Sequence, residues 1–271
     1  MSSRRTPTAP DHLEESPVMY AQERQQSILA TARARGRVEV GLLAEELGVT
    51  VETVRRDLTA LERLGVLRRV HGGALPVERL TLEPSLEARQ TQFADRKRRI
   101  GSRAVMELHE GDTVLLDSGT TTLAIAHALP PGMRLTVITN SIDAAAHLAH
   151  RERTELMMLG GRVRQRTGAA VGEWLTRALT DVTVDVAFLG TNGFTVKHGL
   201  TTPDQAESAA KRAMATAARR LVCVSDASKA GQVHLHRFAS TEDVALIISD
   251  DSLDDDTVQD FEDVGVEVAR T

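Results

Sequence analysis

Six compact apolar runs, at 113–117, 135–139, 155–159, 184–189, 221–225 and 244–249, alternate with helix-period segments at 94–109, 120–129, 141–149, 172–180, 204–219 and 252–263. Strands and helices in regular alternation are the pattern of an α/β domain with a mostly parallel sheet. That domain is expected over 93–250, with 251–271 as an acidic C-terminal segment completing it. A chain of 271 residues has room for roughly two domains, and the first 92 residues read differently.

Residues 1–19 carry Pro, Ser and mixed charge without an apolar period, the composition of a flexible leader. From 20 to 75 three helices and a hairpin are expected. The first, 21–35, ends at Gly36, and the second, 40–47, ends at Gly48. In the third, Thr50 is placed to cap, and Val51, Val54, Leu58, Leu61 and Leu64 follow at spacings of three and four. A strand at 66–70, a turn at His71-Gly72-Gly73 and a return strand at Ala74 and Leu75 complete a winged helix-turn-helix, its helix-turn-helix at about 38–57. Pro76, Pro84 and an aperiodic sequence mark 76–92 as a linker.

The chain has no apolar run near the roughly 20 residues of a membrane-spanning helix, and no secretory signal, so no membrane role and a cytoplasmic location are expected. One cysteine, Cys223, flanked by Leu221, Val222 and Val224, reads as a buried strand residue. Net charge is −5, and its distribution is uneven. Residues 21–75 hold nine arginines against seven acids, whereas 242–267 holds eleven acids and no Lys or Arg.

The third helix buries one stripe and leaves Glu52, Thr53, Arg55, Arg56 and Thr59 outward. A helix that enters the DNA major groove needs such a face, because arginines pair with guanine or phosphate and short hydroxyl side chains reach phosphates or a thymine methyl. Thr50, Thr53, Arg55 and Arg56 are the candidate DNA contacts, with Arg68, Arg69 and His71 on the hairpin for the flanking backbone. The bland alternative is a solvated face with an intrahelical Glu52–Arg56 pair. The runs Glu23 to Ile28, Val49 to Leu58 and Arg68 to Ala74 closely resemble the amino-terminal domain of DeoR-type bacterial transcriptional regulators, which implies double-stranded operator DNA as partner. Thr50 and Val54 replace the common Ser and Ile and keep the cap and the apolar contact.

Asp117-Ser118-Gly119-Thr120-Thr121-Thr122 follows one expected strand and opens one expected helix. A helix N-terminus with a glycine and several hydroxyls suits an anion, and the same residue types also make ordinary caps. Lys211 is one of only four lysines beside 29 arginines. It suits a phosphate or sugar hydroxyl, or an i,i+4 pair with Glu207 on a solvated face. Asn140, Ser141 and Gly160 fall at expected strand C-terminal ends, the edge at which open α/β sheets bind ligands. Lys229 after Asp226 either approaches the same pocket or follows a strand end, the structural role being preferred, and Trp174 and Phe188 read as core. His127, His147 and His150 lack further ligands at metal spacing, so no metal site is expected.

These segments, with Leu159-Gly160-Gly161, Phe188-Leu189-Gly190, Gly199 to Thr202, Lys211 to Met214 and Asp226 to Lys229, resemble the DeoR sensor domain. Asn192 stands where many members carry Asp. The resemblance implies a Rossmann-like α/β fold similar to ribose-5-phosphate isomerase and glucosamine-6-phosphate deaminase. It implies no cofactor, and a phosphorylated sugar or related metabolite as effector at Asp117, Ser118, Gly119, Thr120, Thr121, Asn140, Ser141, Gly160 and Lys211. A non-enzymatic repressor of a carbohydrate-metabolism operon, working as a homo-oligomer (dimer or tetramer), is the expected function. A sugar-phosphate isomerase or deaminase with an accessory DNA-binding domain is the alternative, since Asp117, Asp204 and Glu207 are available as bases. An RNA module is the weaker third reading, because aromatics are only 3% of the chain.

Overall fold

The computed structural model describes residues 21–63, 66–70, 72–76 and 86–271, which divide between Val77 and Glu78 into two compact units. The expected leader, His71 and most of the expected linker lie outside the described residues.

The first unit runs α1 (Ala21–Arg35), β1 (Val38–Glu39), α2 (Val40–Glu46), α3 (Val51–Arg63), β2 (Leu67–Val70) and β3 (Gly73–Pro76). Its antiparallel sheet, ordered β1-β3-β2, is a winged helix with one short strand more than the expected hairpin. Val54, Leu58 and Leu61 of α3 bury against Ile28, Leu43, Leu67 and Ala74. One polar residue joins that stripe. Asp57 is 3% exposed and takes Arg24 Nε at 2.5 Å and Gln25 Nε2 at 3.0 Å, so a buried charge-assisted contact ties α1 to α3.

The second unit begins with α4 (Leu86–Thr91) and α5 (Ala94–Val105). It continues through β4 (Thr113–Leu116), α6 (Thr120–Ala128), β5 (Leu135–Thr139), α7 (Ile142–Leu148) and β6 (Thr154–Met158). After the small strands β7 (Arg162–Arg164) and β8 (Ala169–Val171) come α8 (Glu173–Ala178), β9 (Val184–Gly190), β10 (Gly193–Thr195) and β11 (Gly199–Thr202). The chain closes with α9 (Gln205–Ala217), β12 (Ala218–Val224), β13 (His236–Ala239), β14 (Leu246–Ser249), α10 (Asp255–Glu262) and β15 (Glu267–Arg270). Helix α4 falls within the segment expected to be linker, and β15 lies in the acidic segment.

Seven strands form one parallel sheet, ordered β15-β14-β12-β9-β4-β5-β6. Each face carries its own core. Leu115, Leu189, Cys223 and Ile247 meet Leu175, Met214 and Phe261 on one side. Val114, Leu116, Phe188 and Ile248 meet Ile100, Ile125 and Leu148 on the other. Strand order runs outward from β4 in both directions, so β4 and β9 flank the topological switch point, whose C-terminal ends open a crevice. The antiparallel β10-β11-β13 sheet and the β7–β8 hairpin are further additions to the expected strands.

Phe188 is fully buried as expected, whereas Trp174 is 77% exposed. Trp174 precedes the inward Leu175 in a six-residue helix, and adjacent helical positions point about 100° apart. Helices α5 and α6 approach so closely at Gly101 that an added Cβ would lie 2.6 Å from the Ala124 carbonyl oxygen. Gly101→Ala must push the two backbones apart, and we expect it to destabilise the second unit by about 1–3 kcal/mol. Chemical denaturation checks this; an unchanged midpoint would refute the contact.

Candidate functional site

Two sites emerge, one in each unit. In the first, Thr50 Oγ1 accepts the Thr53 N–H at 3.2 Å and lies 2.9 Å from the Thr53 hydroxyl, capping α3 as its residue type predicts. Arg55 and Arg56 are exposed. The intrahelical pair is Glu52 with Arg55 at 3.7 Å, both well solvated, rather than Glu52 with Arg56. Such a long exposed pair holds little energy. Arg69 binds back to α3: its N–H donates to Glu62 Oε1 at 3.0 Å, and its guanidinium to the Thr59 hydroxyl at 3.2 Å. Arg68 is half-buried; burial pushes its pKa down while Glu62 opposes. A groove of about 860 Å³ runs between α3 and the wing, lined by Arg55, Arg56, Arg63 and Arg69, with Glu52 as the one carboxylate among the described residues.

In the second unit, a cleft opens at the β4/β9 switch point. Its floor is the turn Ser118 to Thr122. Gly119, the N-cap of α6, has φ 142°, a left-handed value that favours glycine. It takes no side-chain cap hydrogen bond, and Thr122 closes the turn by donating to the Gly119 carbonyl at 3.0 Å. Ser118, Thr120 and Thr121 line the cleft, and no side-chain cap hydrogen bond is made at the start of α6.

Lys211 and Asp117 lie beneath it, 5% and 1% exposed. Lys211 Nζ pairs with Asp117 Oδ2 and donates to the Gly190 carbonyl at 3.0 Å. Asp117 Oδ2 also accepts the Gly190 N–H at 3.2 Å. Burial pushes the Asp117 carboxyl up, and Lys211 opposes that shift. Neither is a solvated surface residue, and Lys211 does not pair with Glu207. Glu207 bonds Arg164 Nη1 at 3.1 Å, while Arg164 Nε meets Asp204 at 3.1 Å. Burial opposes it, yet the Glu207 N–H and Arg164 hold the Asp204 carboxyl below its ordinary range.

Lys211 is in the cleft lining, and other cations join it. Arg89, Lys97 and Lys229 all line it, so Lys229 is not merely a strand-end residue. Lys97 is 6% exposed and donates to the Gln92 carbonyl at 2.7 Å and to the Arg89 carbonyl, holding the end of α4 over the opening. With Lys211, three of the chain's four lysines converge here. That scarcity was the available signal for Lys97 and Lys229. Thr167, Asn192 and Asp226 also line the cleft; Asn192 and Asp226 were marked only by the family resemblance, and Thr167 carried no local signal.

Three expected residues do other work. Asn140 donates to the Ala170 carbonyl at 3.1 Å, Ser141 caps α7 by accepting the Ala144 N–H at 3.2 Å, and Gly160 is exposed beyond β6. They end β5 and β6, one and two strands outward from β4, and each strand step is about 4.8 Å.

The family model for the DeoR-like helix-turn-helix domain matches residues 24–79, and that for the DeoR C-terminal sensor domain matches residues 92–251. The chain belongs to the DeoR family. It is 38% identical to the HTH-type transcriptional regulator GlpR of Haloferax volcanii over 250 residues, covering 92% of this chain and 98% of that one. It is 32% identical to the uncharacterized HTH-type transcriptional regulator YulB of Bacillus subtilis, covering 92% of this chain and 96% of that one. Among solved structures, ribose 5-phosphate isomerase A of Methanocaldococcus jannaschii is a distant likeness, 18% identical with a TM-score of 0.38 over 51% of this chain and 54% of that one.

Among the described residues no group of three or more His, Cys, Asp or Glu could hold a metal ion, and no helix is long and apolar enough to cross a membrane. Cys223 lies on β12 of this DeoR-family sensor unit, fully buried, its thiol pushed up to about 12 by burial. The thiolate is the reactive form. At pH 8 the native protein should therefore leave a thiol reagent such as DTNB unreacted for hours and release one equivalent on denaturation; rapid native labelling would contradict the packing.

Proposed function

We propose that this DeoR-family chain is a transcriptional regulator that binds operator DNA through α3 and the wing, and binds a phosphorylated sugar or related metabolite in the β4/β9 cleft. It acts as a repressor of a carbohydrate-metabolism operon. The observation that carries the DNA half is the α3 face: four arginines around one groove with a single carboxylate among its described residues. Phosphate contacts give affinity, and the base-edge contacts of an arginine fork give selectivity. One such helix reads few base pairs, so a homo-oligomer on two-fold half-sites is part of the proposal.

The cleft supports the second half. A glycine turn, an α6 N-terminus, three hydroxyls and the cations Lys97, Lys229 and Arg89 suit a phosphate group. Lys211 keeps one ammonium N–H beyond its bonds to Asp117 and Gly190 and lines the same cleft, so it and Lys229 both stand as partners for that phosphate. The cavity measures about 60 Å³, far below the roughly 300 Å³ of small ligand sites. A sugar phosphate therefore needs Arg89 and Gln92 to move, which makes binding a conformational event that can bias operator affinity.

The enzymatic alternative requires a carboxylate free to take a proton from carbon. Asp117 is bound to Lys211 and Glu207 Oε1 to Arg164, and the regulator family to which the chain belongs favours the non-enzymatic reading.

DNA from upstream of the gene, titrated by fluorescence anisotropy, tests the operator half. Arg56→Ala should weaken specific binding by about 1–3 kcal/mol without altering ligand-induced stabilisation. Unchanged affinity would remove α3 as the reading helix. For the cleft, Lys229→Met should lose a charged contact of about 1.5–3 kcal/mol. At a phosphate concentration that raises the wild-type melting temperature, the variant should barely move, and an equal shift would place the anion elsewhere.

A further inference from the structure

The turn joining β7 to β8 carries a buried hydroxyl with no partner. Thr167 is 5% exposed, its Oγ1 makes no hydrogen bond among the described residues, and it lines the cleft. Buried polar atoms are normally paired, because leaving water unpaired is costly. A ligand atom that bonds this hydroxyl recovers that cost.

Arg164 fixes its position. The Thr167 and Gly168 N–H groups donate to the Arg164 carbonyl at 3.1 and 2.9 Å. The Arg164 guanidinium meanwhile grips Glu207 Oε1 and Asp204 Oδ2 at the start of α9. One residue therefore shapes the turn and sets it against Glu207, itself 4% exposed and part of the same lining. Arg164 occupies Oε1, but Oε2 has only the Thr202 hydroxyl at 3.5 Å, the limit of a hydrogen bond. An ionised carboxylate can only accept, and a threonine hydroxyl can donate or accept. A neutral hydroxyl satisfies both, whereas a carboxylate would meet Glu207 as a like charge.

We propose that Thr167 and Glu207 form the selective end of the cleft, taking a hydroxyl on the non-phosphate part of the ligand and excluding ligands with a carboxylate there. This rests on the reading of the cleft as a phosphate site. The selection at this end, a hydroxyl over a carboxylate, goes beyond that reading.

The test uses the full chain with four probes: inorganic phosphate, sn-glycerol 3-phosphate, fructose 1-phosphate and 3-phosphoglycerate, read by calorimetry and melting temperature. At least one neutral-tailed phosphate should bind wild type more tightly than inorganic phosphate and more tightly than 3-phosphoglycerate. Thr167→Val keeps the shape and removes the hydroxyl. It should weaken that probe about tenfold, change inorganic phosphate less than twofold, and leave the ligand-free melting temperature undiminished. Glu207→Gln should narrow the discrimination against 3-phosphoglycerate about tenfold. If Glu207→Gln does not fold, Thr167→Val decides alone. Equal weakening of all probes by Thr167→Val, or wild-type binding of 3-phosphoglycerate as tight as that of the neutral probes, overturns the proposal and leaves the phosphate site standing. No binding of any probe, inorganic phosphate included, overturns both.

Discussion

The buried pair of Asp117 and Lys211 is the constraint around which the second unit is arranged. It joins the end of β4 to α9 and, through both polar groups of Gly190, to the end of β9. Taking two charges out of water is expensive, and their attraction repays that only with good geometry and further hydrogen bonds. Here the Gly190 backbone supplies them. The three elements that flank the switch point are thereby held in one register, and breaking one partner of such a pair typically costs about 3–5 kcal/mol. Because the two charges neutralise each other, the cationic character of the cleft comes from Arg89, Lys97 and Lys229 instead.

The first unit uses a buried charge differently. Asp57 belongs to the apolar stripe of α3 by position, yet it is an acid, held by Arg24 and Gln25 of α1. That contact fixes the roll of α3 about its axis. The capping hydroxyl of Thr50 fixes where the helix starts, and Arg69 pins the wing to Thr59 and Glu62. With roll, start and wing set, Arg55 and Arg56 face outward on a rigid element, the condition for reading base edges without first paying to order the helix.

Much of this was legible in the sequence where the signal is local. Strands buried on both faces read as continuous apolar runs, which is why β4, β5, β9, β12 and β14 stand out; β6, the edge strand, is largely exposed and shows through its Leu156-Met157-Met158 run instead. Three- and four-residue antiparallel strands such as β7, β8 and β10 are too short to show a period, and α4 follows Pro84 in a stretch with none. The Ser118 to Thr122 turn was readable because strand, glycine and helix start are adjacent. Arg89 and Thr167 were not, and Lys97 and Lys229 were marked only by the scarcity of lysine, since they come from separate segments that only the doubly wound topology brings together. Asn140 and Gly160 also lie at strand ends, but on β5 and β6 rather than beside the switch point, and they are not in the lining of this cleft.

In the proposed function, occupancy of the β4/β9 cleft sets operator affinity. The most direct test measures the operator Kd of the full chain by anisotropy, without and with a saturating concentration of the phosphorylated sugar or polyol that stabilises the protein. Coupling between sites is typically about 1–3 kcal/mol, or 5–150-fold in affinity, and the account predicts a change of at least about fivefold. An operator Kd that is the same with the cleft filled and unfilled would contradict it.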